Sequence, residues 1–579
     1  VDAHCADVEL VSSIISANLG PQVRLAARIP GFYSEFNAFA TSKDSGMLGQ
    51  IGQQRASGLD TWRELTGMDS ESLMVEASEF AAPEQGDFRV RAGEPIAFAG
   101  RYARPVGPEG VFVTGRIERG LFEHVKVLST TRTSANITWW TPGRVCGTVI
   151  EWGKTAEYGD VHERASEGWG EYETFHTVSL LSLEPETTYH FRVGFRDFFA
   201  GSEEKVDGQD PIRWSRDYTF TTAAKDPEPR LLYISLEGDN TNDGLSPRTA
   251  WRTLHKAASE ARAGDTVTIA SGRYMELLRP LQTGVGPDRR ITFRAERPLT
   301  VFLDGGFIKF VQDGRSHCIQ ILNKAYITVE NLVCERVQSH DNGGYRGGLG
   351  YSGLIGISGS AGIKVKNCIM DGRYRWMPCM WVFEAGKMPG VPDDLPAFTV
   401  TDSLLLHGWR SLGIQAQRPC VFRNNAFVRA LTGMVTVIGG TRPKSLVMRN
   451  NIFQSLIFSK RGNVLFGMPS AFDSDYNCFA WDPENESKFI ADIGNHRESP
   501  NVSGLEGWQR HFLQDRHGIE FDPGYPLSRK MGFGVQGKVS QDPLEIGDLI
   551  LPPDSPCRGR GENGEDIGPR WERFLPRKP

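Results

Sequence analysis

Four residues in the second half of the chain carry the side-chain types that acid–base chemistry on a sugar requires: Glu335, Asp371, His407 and Arg410. Two carboxylates at a defined separation can act as the acid and base of a glycoside hydrolase. Alternatively, a histidine can remove the proton beside a uronate carboxylate while an arginine neutralises that carboxylate, as in a polysaccharide lyase. These four residues are therefore the predicted catalytic residues, and both chemistries fit them.

Two long segments beside these residues carry the candidates for substrate binding. They span residues 336–353 and 373–394 and contain many charged and aromatic side chains. Aromatic rings offer flat apolar faces on which sugars can stack, and arginines can hold carboxylates through paired hydrogen bonds. The same aromatic side chains could instead pack the segments onto the protein, and the charges could form ordinary surface ion pairs. The candidates are His340, Tyr345, Arg373, Arg375, Trp376, Glu384 and Trp409.

A separate acidic stretch, EGDNTNDG, supplies the candidate metal site. Asp239, Asn242 and Asp243 offer the carboxylate and amide oxygens that Ca²⁺ prefers. Asx-turns explain the same residues without a metal, because these short side chains bond to their own backbone. No phosphate-binding loop, dinucleotide fingerprint or zinc motif is present. Calcium is therefore the one cofactor that the sequence suggests.

The catalytic candidates lie within a repeated signature: a β-rich run, then Asn or Asp, one residue, and a large apolar residue. It recurs at Asn331, Asn367, Asp402, Asn425, Asn451 and Asn477. The last three positions are 26 residues apart, whereas the first steps are 36 and 35 residues. One β-rich unit per repeat indicates a solenoid, and one Asn in each coil can stack as a ladder. We predict a parallel β-helix; another β-solenoid also fits, and a propeller fits less well because its blades need longer repeats.

Equivalent positions of a β-helix line up along one face, so the ladder also predicts which residues meet. Four residues past the ladder position lie Glu335, Asp371, Leu406 and Arg429, and His407 lies five residues past it. The long segments fall on these same coils. We therefore predict a polysaccharide-binding groove on the first three coils of the ladder.

Residues 1–120 repeat parts of the C-terminal half in the same order. FYSEFNAFA, from Phe32, matches FDSDYNCFA, from Phe472. SGLDTW, from Ser57, matches SGLEGW, from Ser503. We predict that this segment forms the closing coils and tail of a second, truncated β-helix. Because an open solenoid end exposes apolar core and strand edges, we expect a partner chain, the neighbouring domain or a missing upstream segment to cover it.

Residues 121–223 have the alternating pattern of a separate β-sandwich, and the Pro-rich residues 224–230 form a linker. The run LEPETTYHFRVGF places Tyr189 at a strand-entry corner, where its hydroxyl can bond back to the backbone. This span resembles a fibronectin type III domain. The resemblance implies a spacer or a binding surface rather than a catalytic unit.

Residues 231–579 are predicted to form a complete β-helix. A helix with Trp251, Leu254, Ala258 and Ala261 on one face precedes the first coil and would cap its open core. This start, the ladder and the tail SPCRGRGENGEDIGP together resemble right-handed parallel β-helix proteins of the pectate-lyase-like superfamily. The resemblance implies an all-β chain. Most members of that superfamily are polysaccharide lyases or glycoside hydrolases, and others are adhesins or structural proteins.

Composition limits the partners further. With 65 basic and 71 acidic residues, the net charge of −6 gives no sign of nucleic-acid binding, and no apolar run approaches the roughly 18–20 residues of a membrane span. Nine cysteines without a Cys-x-x-Cys pair argue against a zinc site.

Our first hypothesis is a secreted or cell-surface enzyme that acts on an acidic polysaccharide. The alternative is a non-catalytic structural or adhesive filament protein built from tandem modules.

Overall fold

A computed structural model gives the architecture of the chain. It describes residues 9–11, 14–16, 23–25, 33–35, 38–40, 49–51, 54–57, 59–66, 73–75, 80–82, 87–92, 112–114, 121–141, 146–164, 175–196, 211–305, 317–337, 353–372, 379–385, 388, 390–408, 410–430, 433–437, 443–456, 463–466, 471–481, 489–492, 502–524 and 546–574.

Three long sheets dominate the second half, and we number them in the order in which each coil visits them. Their described strands pair in parallel with those of the next coil, except for the last pair of sheet 3. Sheet 1 contains Leu231–Ile234, Thr266–Ile269, Ile291–Ala295, Ile327–Glu330, Ile363–Lys366, Phe398–Thr401, Cys420–Arg423, Leu446–Arg449 and Phe472–Asp475. Sheet 2 contains Gly272–Tyr274, Val301–Asp304, Val333–Glu335, Ile369–Asp371, Leu404–Leu406, Ala426–Ala430, Ile452–Leu456 and Cys478–Ala480. Sheet 3 contains Ile319–Leu322, Ile355–Ser358, Met380–Ala385, Arg410–Ala416, Gly433–Val437, Asn463–Phe466, Phe489–Asp492 and Val502–Ser503.

The alternation of side chains explains why these short strands wind around one interior. In the strand IKVK, for example, Ile363 and Val365 are buried, whereas Lys364 is exposed. Successive strand residues point to opposite faces, so one apolar set from each sheet fills a continuous core. The predicted right-handed parallel β-helix is confirmed.

The asparagine ladder is real, but its predicted register is wrong by one residue after Asp402. The turn from sheet 1 to sheet 2 has two residues, of which the first adopts left-handed backbone and the second points inward. The left-handed residues are Asn331, Asn367, Asp402, Asn424, Asn450 and Tyr476. The fully buried inward residues are Leu332, Cys368, Ser403, Asn425, Asn451 and Asn477. The six residues of the sequence signature therefore belong to two columns.

The interior column forms the stack of amides. Asn425 Nδ2 donates to Asn451 Oδ1 at 3.0 Å, and Asn451 Nδ2 donates to Asn477 Oδ1 at 3.0 Å. Asn477 Nδ2 donates in turn to Asp515 Oδ1 at 2.7 Å. Burial raises the pKa of Asp515, whereas its hydrogen bonds favour the charged form. Asp515 thus ends the stack without leaving a buried amide unsatisfied.

Helices and the tail cover the β-helix. Helix α2 (Leu254–Glu260) follows Thr253, whose side chain accepts from Lys256 N, and it buries Leu254 in the core. Helix α3 (Gly504–Phe512) buries Trp508 near the last coil. In the tail, Trp571 packs in one apolar cluster with the outer face of sheet 2. The 3₁₀ turns span Pro247–Thr249, Ile546–Leu549, Glu562–Gly564 and Trp571–Phe574.

The N-terminal segment contains short parallel pairings of the same kind, as the predicted closing coils of a second β-helix require. Helix α1 (Leu59–Thr66) follows an antiparallel pair and buries Trp62, just as α3 follows an antiparallel pair and buries Trp508. Parallel pairs join Glu9–Val11 with Tyr33–Glu35, Ile14–Ser16 with Ala38–Ala40, Ala38–Ala40 with Leu73–Val75, Val23–Leu25 with Gly49–Ile51, and Asp87–Ala92 with Phe112–Thr114. Antiparallel pairs join Gly49–Ile51 with Gln54–Ala56, and Phe80–Ala82 with Asp87–Ala92.

Between these two parts lie two antiparallel sheets. One contains Glu123–Thr130, Ala135–Trp140 and Phe175–Leu180, and the other contains Thr148–Gly153, Asp160–Arg164, Thr188–Arg196, Ile212–Trp214 and Tyr218–Thr221. The Tyr189 hydroxyl accepts from Glu184 N at 3.0 Å, which is the corner that the sequence predicts. The first sheet docks on the β-helix: Asn136 Oδ1 accepts from Thr283 N at 3.1 Å, and Lys324 Nζ donates to Thr177 Oγ1 at 3.0 Å.

None of the three described α-helices has the length and apolar character that crossing a membrane requires. The eight cysteines in the described segments are all buried, and none of them forms a disulfide within those segments.

Candidate active site

Three neighbouring strands of sheet 2 end in a stack of carboxylates. Asp304, Glu335 and Asp371 lie opposite one another in register on consecutive coils. Because neighbouring strands are about 4.8 Å apart, each carboxylate lies one coil from the next. The sequence prediction grouped Glu335 with Asp371 but missed Asp304, since the coil that contains Asp304 lacks the Asn signature.

The next coils continue this column with Leu406 and Val428. Arg429, which the slipped ladder register placed beside Leu406, is therefore one position too late for the column. The acidic part of the column is confined to three coils.

His407 lies directly after the column and contacts its last carboxylate. Nδ1 of His407 is 2.9 Å from Oδ1 of Asp371, and both side chains are buried. His407 has φ of 52°, and Arg336, at the equivalent position two coils earlier, has φ of 61°. Left-handed backbone is uncommon for such residues, and it tends to occur where function or packing fixes the chain. This turn therefore holds the imidazole against Asp371.

The surroundings of this pair are apolar and close-packed. The Cys379 thiol donates to Leu406 O at 3.2 Å. Burial raises the pKa of Cys379, and the nearby Asp371 carboxylate raises it further, so the thiol stays neutral. A Cβ atom on Gly372 would lie 2.9 Å from His407 O, so a side chain there would displace the His407 turn. In such a water-poor setting a charge-assisted hydrogen bond is stronger than in bulk water.

Two arginines occupy the other end of the carboxylate stack. Arg273 Nη1 contacts both Asp304 and Glu335, and it lies 2.5 Å from Glu335 Oε1. Arg336 Nη1 lies 3.2 Å from Asp304 Oδ2. Burial lowers the pKa of Arg273, but the hydrogen bonds to the two carboxylates outweigh burial and leave that pKa raised. The two carboxylates are buried, whereas Arg273 is 43% and Arg336 is 40% exposed. Glu335 and Asp304, one and two coils before Asp371, thus hold two solvent-accessible guanidinium groups.

Sequence reasoning missed Arg273 as well as Asp304. Arg273 precedes Glu335 by 62 residues and belongs to the first strand of sheet 2. The available signal was the alignment of coils, but the first coils have no ladder residue from which to count.

Most predicted substrate-binding residues lie outside the described residues. The described strands include Arg410 and Glu384, but only their backbone, and Arg410 pairs with Gly433 on the next coil. Those outside altogether are His340, Tyr345, Arg373, Arg375, Trp376 and Trp409. Their predicted roles stay predictions.

The candidate calcium residues are engaged in turns. Asp239 Oδ1 accepts from Thr241 N at 2.9 Å, and Asp243 Oδ1 accepts from Leu245 N at 2.9 Å. Asn242 Nδ2 donates to Ala250 O at 3.2 Å. Across the described segments, no group of three or more His, Cys, Asp or Glu side chains is arranged to hold a metal. Calcium at this stretch stays a prediction, and the bonds that Asp239 and Asp243 accept are those of Asx-turns.

One family matches part of the chain, the one described as purple acid phosphatase, N-terminal domain, at residues 122–222. This match covers the two antiparallel sheets and excludes the β-helix. The fibronectin type III resemblance of the same residues stays a prediction. None of the curated proteins compared with the chain matches it.

Several solved structures resemble the chain. A GH136 lacto-N-biosidase from Eubacterium ramulus aligns with a TM-score of 0.33 and 12% identity over 45% of this chain and 54% of that one. Pectate lyase Pel9A aligns with a TM-score of 0.32 and 13% identity over 59% of this chain and 96% of the lyase. A family 28 exopolygalacturonase from Yersinia enterocolitica aligns with a TM-score of 0.25 and 13% identity over 64% of this chain and 89% of that one. The chain thus spans about half of the lacto-N-biosidase, and scores this low do not transfer function.

Proposed function

We propose that this chain is a secreted or cell-surface carbohydrate-active enzyme that cleaves an acidic polysaccharide by β-elimination. The observation that carries the proposal is the 2.9 Å contact between His407 Nδ1 and Asp371 Oδ1, on the same face as two arginines that are bound to the carboxylates one and two coils earlier. A histidine that removes a proton needs a fixed tautomer, and cleavage of a uronate chain needs cations for the carboxylate.

Each residue would have a separate role. Asp371 would accept the Nδ1 proton of His407, so that His407 takes the substrate proton through Nε2. Arg273 and Arg336 would neutralise the uronate carboxylate beside the scissile bond, and Glu335 would position Arg273. Elimination then breaks the bond to the leaving sugar oxygen, which needs a proton from water or from a group in the cleft.

Hydrolysis is less well supported than elimination. Glu335 and Asp371 lie on adjacent coils, which resembles the short separation of carboxyls in retaining glycosidases. However, a hydrolase requires a carboxylic acid that donates a proton to the leaving group. Glu335 instead accepts a hydrogen bond from Arg273, and Asp371 contacts His407.

The structural or adhesive alternative is favoured by one specific observation. Glu335, Asp371 and His407 are 2%, 5% and 0% exposed. Catalysis therefore requires that substrate binding opens a path to the imidazole, whereas a structural role requires no such opening. In the structural role the ionic groups would stabilise the coils alone, and removing one partner of a buried pair would cost about 3–5 kcal/mol.

Comparing two matched His–Asp pairs tests the proposal. His407→Gln and Asp371→Asn should each reduce cleavage of a uronate polysaccharide by roughly 10²–10⁴-fold, measured as ultraviolet absorbance of unsaturated sugar ends. His517→Gln is the control, because His517 Nδ1 also lies 2.9 Å from an aspartate, Asp475, but at an exposed position.

Three results would overturn the proposal. The first is full activity of folded His407→Gln. The second is release of reducing ends without unsaturation, which would indicate hydrolysis. The third is wild-type protein that cleaves none of a panel of uronate and sulfated polysaccharides and elongates into fibres, which would establish the structural alternative.

A further inference from the structure

A cavity of about 620 Å³ opens on the β-sandwich, away from the carboxylate stack. It lies between the start of the strand Glu123–Thr130 and the link from Ile212–Trp214 to Tyr218–Thr221. The lining residues that matter for binding are Phe122, His124, Trp214, Ser215, Arg216 and Tyr218. A volume of this size is ample for a small ligand or for one or two sugar units of a chain.

The charge of this lining is opposite to that of the whole chain. The residues that line the cavity include one arginine and one histidine and no aspartate or glutamate, although the chain has a net charge of −6. Asp217, the nearest acid in sequence to Arg216, accepts from the Tyr158 hydroxyl at 3.0 Å and lies 2.8 Å from His190 Nδ1. The cavity therefore favours an anionic ligand.

The aromatic walls are held in place by the domain itself. Arg192 lies 4.3 Å from the centre of the Trp214 ring and is tied to Glu151 at 2.7 Å. A Cβ atom on Gly194 would come within 2.7 Å of Trp214, so the glycine allows the ring to lie close to the sheet. Side chains that are already ordered lose little entropy when a ligand binds. An aromatic face beside a cation suits a sugar ring that bears a carboxylate.

The residues that line the cavity are different from those whose hydrogen bonds dock the sandwich on the β-helix. The docking contacts come from Asn136 and Thr177, in the sheet that also contains the far end of the strand Glu123–Thr130. Trp214 and Tyr218 belong to the other sheet. A ligand here would leave the β-helix site accessible, and a polymer could be held at two places, which raises its effective concentration.

We infer that this cavity is a separate binding site for a carboxylate-bearing sugar unit of an acidic polysaccharide. Trp214 supplies the apolar face, and Arg216 and His124 recognise the carboxylate. The inference rests on the proposed function only in the choice of polymer, because binding here does not require cleavage. The sandwich is then a sugar-binding module and not only a spacer.

Calorimetric titration of the full chain with a short oligogalacturonate tests this site. The background is Asp371→Asn, which should slow turnover during the titration, and the matched neutral probe is a cello-oligosaccharide of the same length. Arg216→Ala and His124→Ala change exposed residues and should leave the fold intact. We expect Arg216→Ala to weaken one binding event by roughly tenfold to a hundredfold, the loss typical of a hydrogen bond to a charged group. Lys154→Ala, which removes an exposed charge elsewhere on the sandwich, should leave that event unchanged.

The outcomes separate this inference from the proposed function. It is supported if Arg216→Ala weakens binding and Lys154→Ala does not, even when wild-type protein cleaves nothing. It is overturned if Arg216→Ala, His124→Ala and Trp214→Ala all bind like the background protein, or if the neutral probe binds equally well. Protection of residues 121–125 and 214–218 from hydrogen exchange by the oligogalacturonate is expected, and its absence would also overturn the inference.

Discussion

Replacing Asn451 with alanine should remove the centre of the interior amide stack. Its Oδ1 accepts from Asn425 Nδ2 and from Asn425 N, at 3.0 and 3.1 Å, and its Nδ2 donates to Asn477 Oδ1 and to Phe422 O, at 3.0 and 3.2 Å. Each such bond contributes about 1 kcal/mol net, and a buried group left without a partner costs more. We therefore expect Asn451→Ala to lower the free energy of unfolding by about 4 kcal/mol or more.

Asn331→Gly is the matched comparison in the other column. Asn331 has φ of 65°, which glycine adopts without strain. Its side chain is half-buried, and its Oδ1 accepts from Asn367 Nδ2 at 3.2 Å. We expect a loss of about 1 kcal/mol for this substitution.

Urea denaturation of both full-length variants should be combined with hydrogen exchange, because a protein with several modules does not unfold in one step. The Asn451→Ala loss should appear as faster exchange in Ala426–Ala430 and Ile452–Leu456, which flank the stack. Equal losses of stability in the two variants would refute the assignment of the amides to an inner and an outer column.

Three further predictions concern packing, the tail and pH. Gly413→Ala places a Cβ atom 2.4 Å from the Trp381 ring, so it should lower the free energy of unfolding by about 1–3 kcal/mol and lower the melting temperature. An unchanged melting temperature would contradict this packing. Arg570→Ala leaves the buried Asp402 without its 2.8 and 3.0 Å contacts, so limited proteolysis should cut the tail faster than in Lys154→Ala. Burial lowers the pKa of His317 to about 4. Because this pKa is lower in the folded than in the unfolded protein, the free energy of unfolding should fall by up to about 3 kcal/mol as the pH drops from 6.5 to 4. Urea titrations of His317→Gln over the same pH range should lack that part of the loss.

The register slip shows how far sequence reasoning could reach in the ladder. Asn424–Asn425 and Asn450–Asn451 are consecutive asparagines, and either member of each pair fits the signature. Which one adopts left-handed backbone and which one points inward depends on the strands before and after the turn. The error moved Arg429 into the wrong column but left Glu335 and Asp371 together, because their coils carry single asparagines.

The sequence by itself determined the repeat, the all-β architecture and the duplication of the N-terminal segment, because periodic burial and turn residues are local properties. It also brought Asp371 within one coil of His407. Only the tertiary structure decided that Arg273 binds Glu335, 62 residues away, and that Arg570 binds Asp402, 168 residues away. Pairings over such distances depend on how many residues each coil contains. Because inserted loops of unequal length vary that number, the partners of the buried charges become evident only when the coils are stacked.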